Sequence, residues 1–195
     1  MSEQQDIKTE EKIKNAALKL FYKNGFAGTK TRDIAEEAGI NIALLNYYFR
    51  SKEKLFEIIM EESLQKMFTG VKNVFNKPSN IDEKIKSIVD NYIENLRINP
   101  NLPLFVLSAI QADATGFMKK THLSKDFISP FFNQIKEELQ TENALQIILN
   151  ILALTIFPFI AKPLWLILSD MNDEQFTDFI EERRKLIPAW IKTML

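Results

Sequence analysis

Cysteine is absent from the chain of 195 residues, and histidine occurs once, as His122. Without cysteine there are no disulfides, no cysteine-ligated zinc and no thiol catalysis. A single histidine leaves no multi-histidine metal centre, so neither a metal nor another cofactor is expected. Glycine is scarce, five residues in all, and the β-branched residues form no alternating runs, which points to an all-α chain. The opening Met-Ser-Glu-Gln-Gln-Asp lacks the basic and apolar segments of a secretory signal, so a cytoplasmic location is expected. Excess charge is lacking too: 25 Lys and Arg stand against 26 Asp and Glu. Residues 1–60 carry ten cations against nine carboxylates. Contact with nucleic acid would therefore depend on a few placed cations, since the chain as a whole does not attract phosphate.

Catalytic constellations are missing as well. The adjacent pairs Glu36-Glu37, Glu61-Glu62, Glu137-Glu138 and Glu181-Glu182 sit on helical segments, where neighbours point about 100° apart and do not face one another. They read as solvated faces, and no enzyme is expected.

What is present is helical punctuation. After a polar lead-in over residues 1–8, a first helix is expected over 9–24, with Ile13, Ala16, Ala17, Leu20 and Phe21 at helical spacing and Gly25 as its stop. Thr29 is expected to N-cap a second helix, with Asp33 in its first turn and Ile34, Ala35 and Ala38 buried. Gly39 ends that helix and Asn41 caps a third, which runs to Phe49. Two short helices joined by a tight glycine turn are the signature of a helix-turn-helix, whose second helix enters the DNA major groove. Ser51 caps a fourth helix over 51–76. Further helices are expected over 81–98, 104–112, 117–139 (with Pro130 interrupting it or starting its second half) and 174–194, and Asp113–Gly116 reads as a turn or kink. Residues 142–168 are the most apolar segment, which brings the count to about nine helices.

Within that segment Ala144–Ala161 is eighteen residues without a charge, at the lower edge of a membrane span. Gln146, Asn150, Thr155 and Pro158 interrupt it, and Lys162 and Pro163 follow. A buried helix is the expectation, with a membrane-anchored regulator as an alternative and no membrane partner as the main reading. Together with the amphipathic 174–194 it offers a two-helix dimerisation face.

Residues 9–60 resemble the DNA-binding domain of the TetR family of transcriptional regulators. The resemblance is carried by Leu20-Phe21-x-x-x-Gly25-Phe26, Thr29, Ile34-Ala35-x-x-Ala38-Gly39, Tyr47-Tyr48-Phe49 and Ser51-Lys52-Glu53-Lys54-Leu55. Length and helix count match too. The run Leu154–Leu164 is similar to the dimerisation helix of one branch. Many members carry tyrosine where this chain has Asn46, and histidine where it has Tyr48. The resemblance implies an N-terminal three-helix DNA-binding domain (residues 1–50) followed by a helical ligand-binding and dimerisation domain (51–195). It further implies a homodimeric repressor, paired through residues 142–168 and 174–194, released from operator DNA by a small effector. A helical small-molecule-binding protein of another class is the alternative.

Seven residues are candidates for DNA contact. Asn41, Ala43 and Asn46 lie at or near the N-terminal end of the third helix, where base edges are met. Asn46 suits adenine and Ala43 a thymine methyl, while Asn41 either reads a base or only caps the helix. Tyr47 resembles the family tyrosine that contacts phosphate or a base. Lys52, beside free N–H groups at the start of the fourth helix, and Thr31 and Arg32, at the start of the second, are expected at phosphates. Lys52→Ala is expected to lower the salt slope by about one. Phe105, Phe117, Met118, Phe127, Phe131, Phe132 and Trp165 hint at a largely apolar effector pocket, with Gln111, Asp113 and His122 as possible polar anchors.

Overall fold

The computed structural model describes residues 3–194, with side chains from Asp6 onward. It consists of ten α-helices, with no strand among the described residues. These are α1 (Glu3–Gly28), α2 (Thr31–Glu37), α3 (Ile42–Phe49), α4 (Lys52–Asn76), α5 (Ile81–Ile98), α6 (Leu102–Thr121), α7 (Lys125–Leu139), α8 (Ala144–Ile160), α9 (Lys162–Leu168) and α10 (Asp173–Thr193). The chain forms two compact units, one ending at Leu64 and the next beginning at Gln65. The division falls inside α4, a single continuous helix.

In the first unit α1 starts earlier than expected, at Glu3. Of the expected lead-in, residues 1 and 2 lie outside the described residues. Helical dihedrals are lost at Gly25 (φ 69°, ψ 170°), a left-handed φ that glycine reaches without a Cβ penalty. The core is Ile13, Ala17 and Phe21 from α1, Ile34 and Ala35 from α2, Leu45 and Phe49 from α3, and Leu55 and Ile59 from α4. Phe21 and Phe56 meet edge to face at 5.1 Å, and Phe26 packs on Phe56 at 4.8 Å. Lys14, buried on α1, donates to Glu62 Oε1 on α4 at 2.9 Å. Burial opposes its charge, but Glu11 and Glu62 more than offset this and hold its pKa above the usual lysine value.

The second unit is built around α5 and α8. The stripe Ile81, Ile85, Ile88, Val89, Tyr92, Ile93 and Leu96 buries one face of α5. The polar flank of α5 pairs with α10, through Lys192 to Asp82 (2.7 Å), Arg184 to Glu94 (2.5 Å) and Arg97 to Glu181 (2.9 Å). Helix starts in this unit are capped by side chains: Asn80 accepts from Glu83 N, Ser124 from Phe127 N, and Asn172 and Gln175 exchange bonds in a capping box.

The kink expected at Asp113–Gly116 is present: Asp113 is extended (φ −159°, ψ 89°) and divides α6 into two helical stretches. Three other expectations change. A further break comes at His122, left-handed at φ 54°. Helix α7 then begins at Lys125 and passes through Pro130. The apolar segment divides at Ala161, ahead of Pro163, into α8 and α9, which makes the count ten. Among the described residues no single helix is long and apolar enough to cross a membrane. Helices α7 and α8 would pass such a test only as a pair bent by 111°.

Candidate nucleic-acid interface and effector cavity

The α2–α3 turn sets the interface. Gly39 is left-handed at φ 61°, and Gly39 N donates to Glu36 O and Ile40 N to Ala35 O, both at 2.9 Å. This bond pair closes the end of α2 as a Schellman motif. The chain then enters α3 through Asn41, whose Oδ1 accepts from Leu44 N at 2.8 Å. Asn41 is therefore a cap, as one of its two readings held, and its side-chain oxygen is occupied.

Leu45 and Phe49 anchor α3 on the core, and the opposite face is exposed. That face carries Ile42, Ala43, Asn46, Tyr47 and Arg50, at the spacing of one helical stripe. Tyr47 is 78% exposed, so it is a surface ring and not part of the core. Its neighbour Tyr48 points the other way and donates to Asp6 Oδ1 on α1 at 2.8 Å. That bond raises the Tyr48 pKa. Arg50 closes the helix in an unusual γ-turn (φ 64°, ψ −45°), with Ser51 N on Phe49 O at 2.7 Å. A non-glycine residue there is strained. Thr31 and Arg32 occupy the first two positions of α2, half-buried and exposed respectively.

Two sequence-based roles differ in the structure. Thr29 does not cap α2. It is fully buried, and its hydroxyl donates to Gly25 O at 2.8 Å and Leu20 O at 3.1 Å, closing the end of α1. The N-cap position belongs to Lys30, whose N–H donates to Asp33 Oδ2 at 3.2 Å. Lys52 was expected to offer its ammonium to phosphate. Its Nζ instead donates to Phe26 O and Thr29 O, both at 2.9 Å, and lies 4.2 Å from the Phe26 ring centroid. The cation ties the α1–α2 connection to the first turn of α4, so its geometry is that of a positioning residue.

The second unit carries a half-open cavity of about 700 Å³ lined by residues of α4 to α8. Phe68, Phe75, Phe127 and Phe131 form its ring cluster. Phe75 and Phe131 stack at 4.8 Å, and Phe127 meets Phe75 at 5.5 Å. Of the aromatic and Met candidates, Phe117, Met118, Phe127 and Phe131 line it, while Phe105, Phe132 and Trp165 do not. None of the proposed anchors Gln111, Asp113 and His122 reaches it. Its polar lining is Tyr92, Ser124 and Lys125. The sequence reading missed Tyr92, because its place in the α5 stripe is that of any core residue. Among the described residues no cluster of His, Asp or Glu is arranged to hold a metal ion.

Comparison with known proteins places this geometry. Residues 13–59 match the family described as bacterial regulatory proteins, tetR family. A Bacillus subtilis protein named "Probable HTH-type transcriptional regulator YttP" is 28% identical over 126 residues, 62% of this chain and 60% of that protein. The HTH-type transcriptional repressor NicS of Pseudomonas putida is 43% identical over 58 residues, 30% of this chain and 27% of that one. The chain thus spans at most about 60% of the length of these curated relatives. Among solved structures, a TetR/AcrR-family regulator from Thermobifida fusca superposes with TM-score 0.63 at 14% identity, covering 92% of this chain and 96% of that one. The fatty acid degradation regulator FadR of Bacillus halodurans gives 0.57 at 16%, covering 92% and 94%. The structural likeness extends over nearly the whole chain, whereas the 43% identity to NicS covers only 58 residues.

Proposed function

The chain belongs, through residues 13–59, to the tetR family of bacterial regulatory proteins, and from that premise we propose that it is a cytoplasmic, homodimeric repressor that leaves its operator when a small apolar effector binds. The relatives are transcriptional regulators and not enzymes. The observation that carries the DNA reading is the exposed stripe of α3. Ala43, Asn46 and Tyr47 stand free on a helix whose other face is fixed by Leu45 and Phe49. In the proposal Asn46 reads adenine and Ala43 a thymine methyl. Tyr47, Thr31 and Arg32 bind backbone phosphates, Asn41 sets the start of the reader, and Lys52 holds the turn beneath it.

Dimerisation through residues 142–168 and 174–194 is supported by apolar surface. Leu145, Leu149 and Phe157 on α8, and Leu164, Ile167 and Leu168 on α9, are each more than half exposed, Leu149 also lining the cavity, and large exposed apolar side chains grouped on two consecutive helices are what an interface would cover. On α10 the half-buried Phe179 and Trp190 flank Arg183, whose guanidinium stacks on both rings and donates to Leu154 O at 3.0 Å. The cavity supports an apolar effector, since about 700 Å³ lies within the range of small-molecule sites. Helix α4 contributes both to the core beneath the reader and, further along, to the cavity wall. Ligand that prefers one of two conformations shifts the population between them, and two readers spaced about one DNA turn apart tolerate little displacement.

Selection of bound duplexes from a random pool tests this reading. Enrichment of a two-fold symmetric sequence with half-sites about one turn (~34 Å) apart supports it. Failure to enrich any sequence contradicts it.

A further inference from the structure

The effector cavity has one interior polar group. Ser124 and Lys125 are exposed at the turn before α7, and the Ser124 hydroxyl already accepts from Phe127 N. Tyr92 is different: its side chain lines the cavity yet the residue is only 8% exposed. Among the described residues its hydroxyl has no hydrogen-bond partner, although buried tyrosine hydroxyls ordinarily find one. Nor is it among the polar atoms that are both sealed from space and unpaired, which are Asn91 Oδ1, Arg183 Nε and Arg184 Nε. The Tyr92 hydroxyl therefore opens onto the cavity with its donor unused.

We propose that the Tyr92 hydroxyl fixes the effector by donating a hydrogen bond, and that the effector is an uncharged, largely apolar molecule carrying a carbonyl-type acceptor. The proposal rests on reading the cavity as the effector site. The absence of charge on the ligand follows from the inventory of partners. A buried carboxylate requires a cation or several donors, and the interior offers a single neutral one. Lys84, the buried cation of α5, donates to Phe75 O at 2.7 Å and is not part of the wall, and Lys125 stands at the exposed rim. The hydroxyl is also a dependable donor, because burial pushes its pKa up to about 12. The stacked Phe75 and Phe131 rings form an apolar wall for the body of such a molecule.

The test uses the full chain and three probes of equal carbon content: valerophenone (a ketone), pentylbenzene (its hydrocarbon analogue) and 5-phenylvalerate (an anion). Binding is read by calorimetry or equilibrium dialysis, on wild type and Tyr92→Phe. Wild type is expected to bind the ketone about tenfold more tightly than the hydrocarbon, the effect of satisfying one buried neutral donor, and the anion more weakly than the ketone. Tyr92→Phe is expected to abolish the ketone preference and leave pentylbenzene binding within about twofold. Since the lost hydroxyl had no partner, the variant is expected to melt at or above the wild-type temperature. Equal binding of ketone and hydrocarbon by wild type, a preference surviving in Tyr92→Phe, or tightest binding of the anion would each overturn the proposal while leaving the cavity reading intact. No binding of any probe would overturn both.

Discussion

At the scale of single residues, neighbouring positions on and around α3 divide between reading and holding. Asn46 has no structural duty, so Asn46→Ala should leave the melting temperature unchanged and relax specificity at one base pair by about 1–3 kcal/mol, measurable by anisotropy on single-substitution duplexes. Lys52 has a structural duty. Lys52→Met removes two bonds from a cation to backbone carbonyls and should lower stability by about 1–3 kcal/mol. It should weaken DNA binding with little change in salt slope, and a drop of about one in that slope would return the ammonium to a phosphate. The Asn41 cap was legible in the sequence because it lies two residues after the glycine stop at Gly39. The Thr29 role was not, since one hydroxyl accepts from a helix start as readily as it donates to a helix end, and only the fold decides.

Tyr92 carries a second residue-scale signature. Its phenol ionises at about 12 in the folded protein and near 10 in an unfolded chain. A raised folded pKa contributes stability that is complete below about pH 10 and is lost as pH rises toward 12, by about 2–3 kcal/mol in all. Alkaline denaturation of wild type should therefore steepen in that window relative to Tyr92→Phe. Tyr48, raised in the same direction by Asp6, is common to both proteins and cancels from the comparison.

At the scale of elements, the clearest reading was α5, found over Ile81–Ile98 where the apolar period placed it, because a stripe that repeats for five turns has one solution. The α6–α7 boundary was not legible. Asp-Ala-Thr-Gly reads as a turn or a kink and is a kink, where the Asp113 carboxylate accepts from Gly116 N at 2.9 Å and the helix restarts after one extended residue. The actual break uses His122 at a left-handed position where sequence reasoning looks for glycine. The cavity was legible only in outline, since core and cavity wall share the same helical period. Helices α8 and α9 leave an apolar surface whose proposed cover is a second copy. Paired charges at Leu145→Glu and Phe157→Glu, both exposed in the single chain, should barely alter the fold yet convert a dimer to monomer by sedimentation. An unchanged sedimentation coefficient would remove α8 from the interface.

At the scale of the whole molecule, the account joins a DNA reader to an apolar cavity in one chain of balanced charge. Balanced charge means that affinity for random DNA should be low and specific contacts decisive. Saturating the cavity with valerophenone should lower operator affinity, by no more than the difference in that probe's affinity for the two conformations. The most direct measurement of the central claim is fluorescence anisotropy on the duplex enriched by selection and on a scrambled duplex of the same composition, across a salt series, with the number of subunits bound at saturation. The account predicts specific binding at physiological salt with two subunits, or a multiple of two, per site. Equal affinity for the two duplexes, or saturation at one subunit, would contradict it.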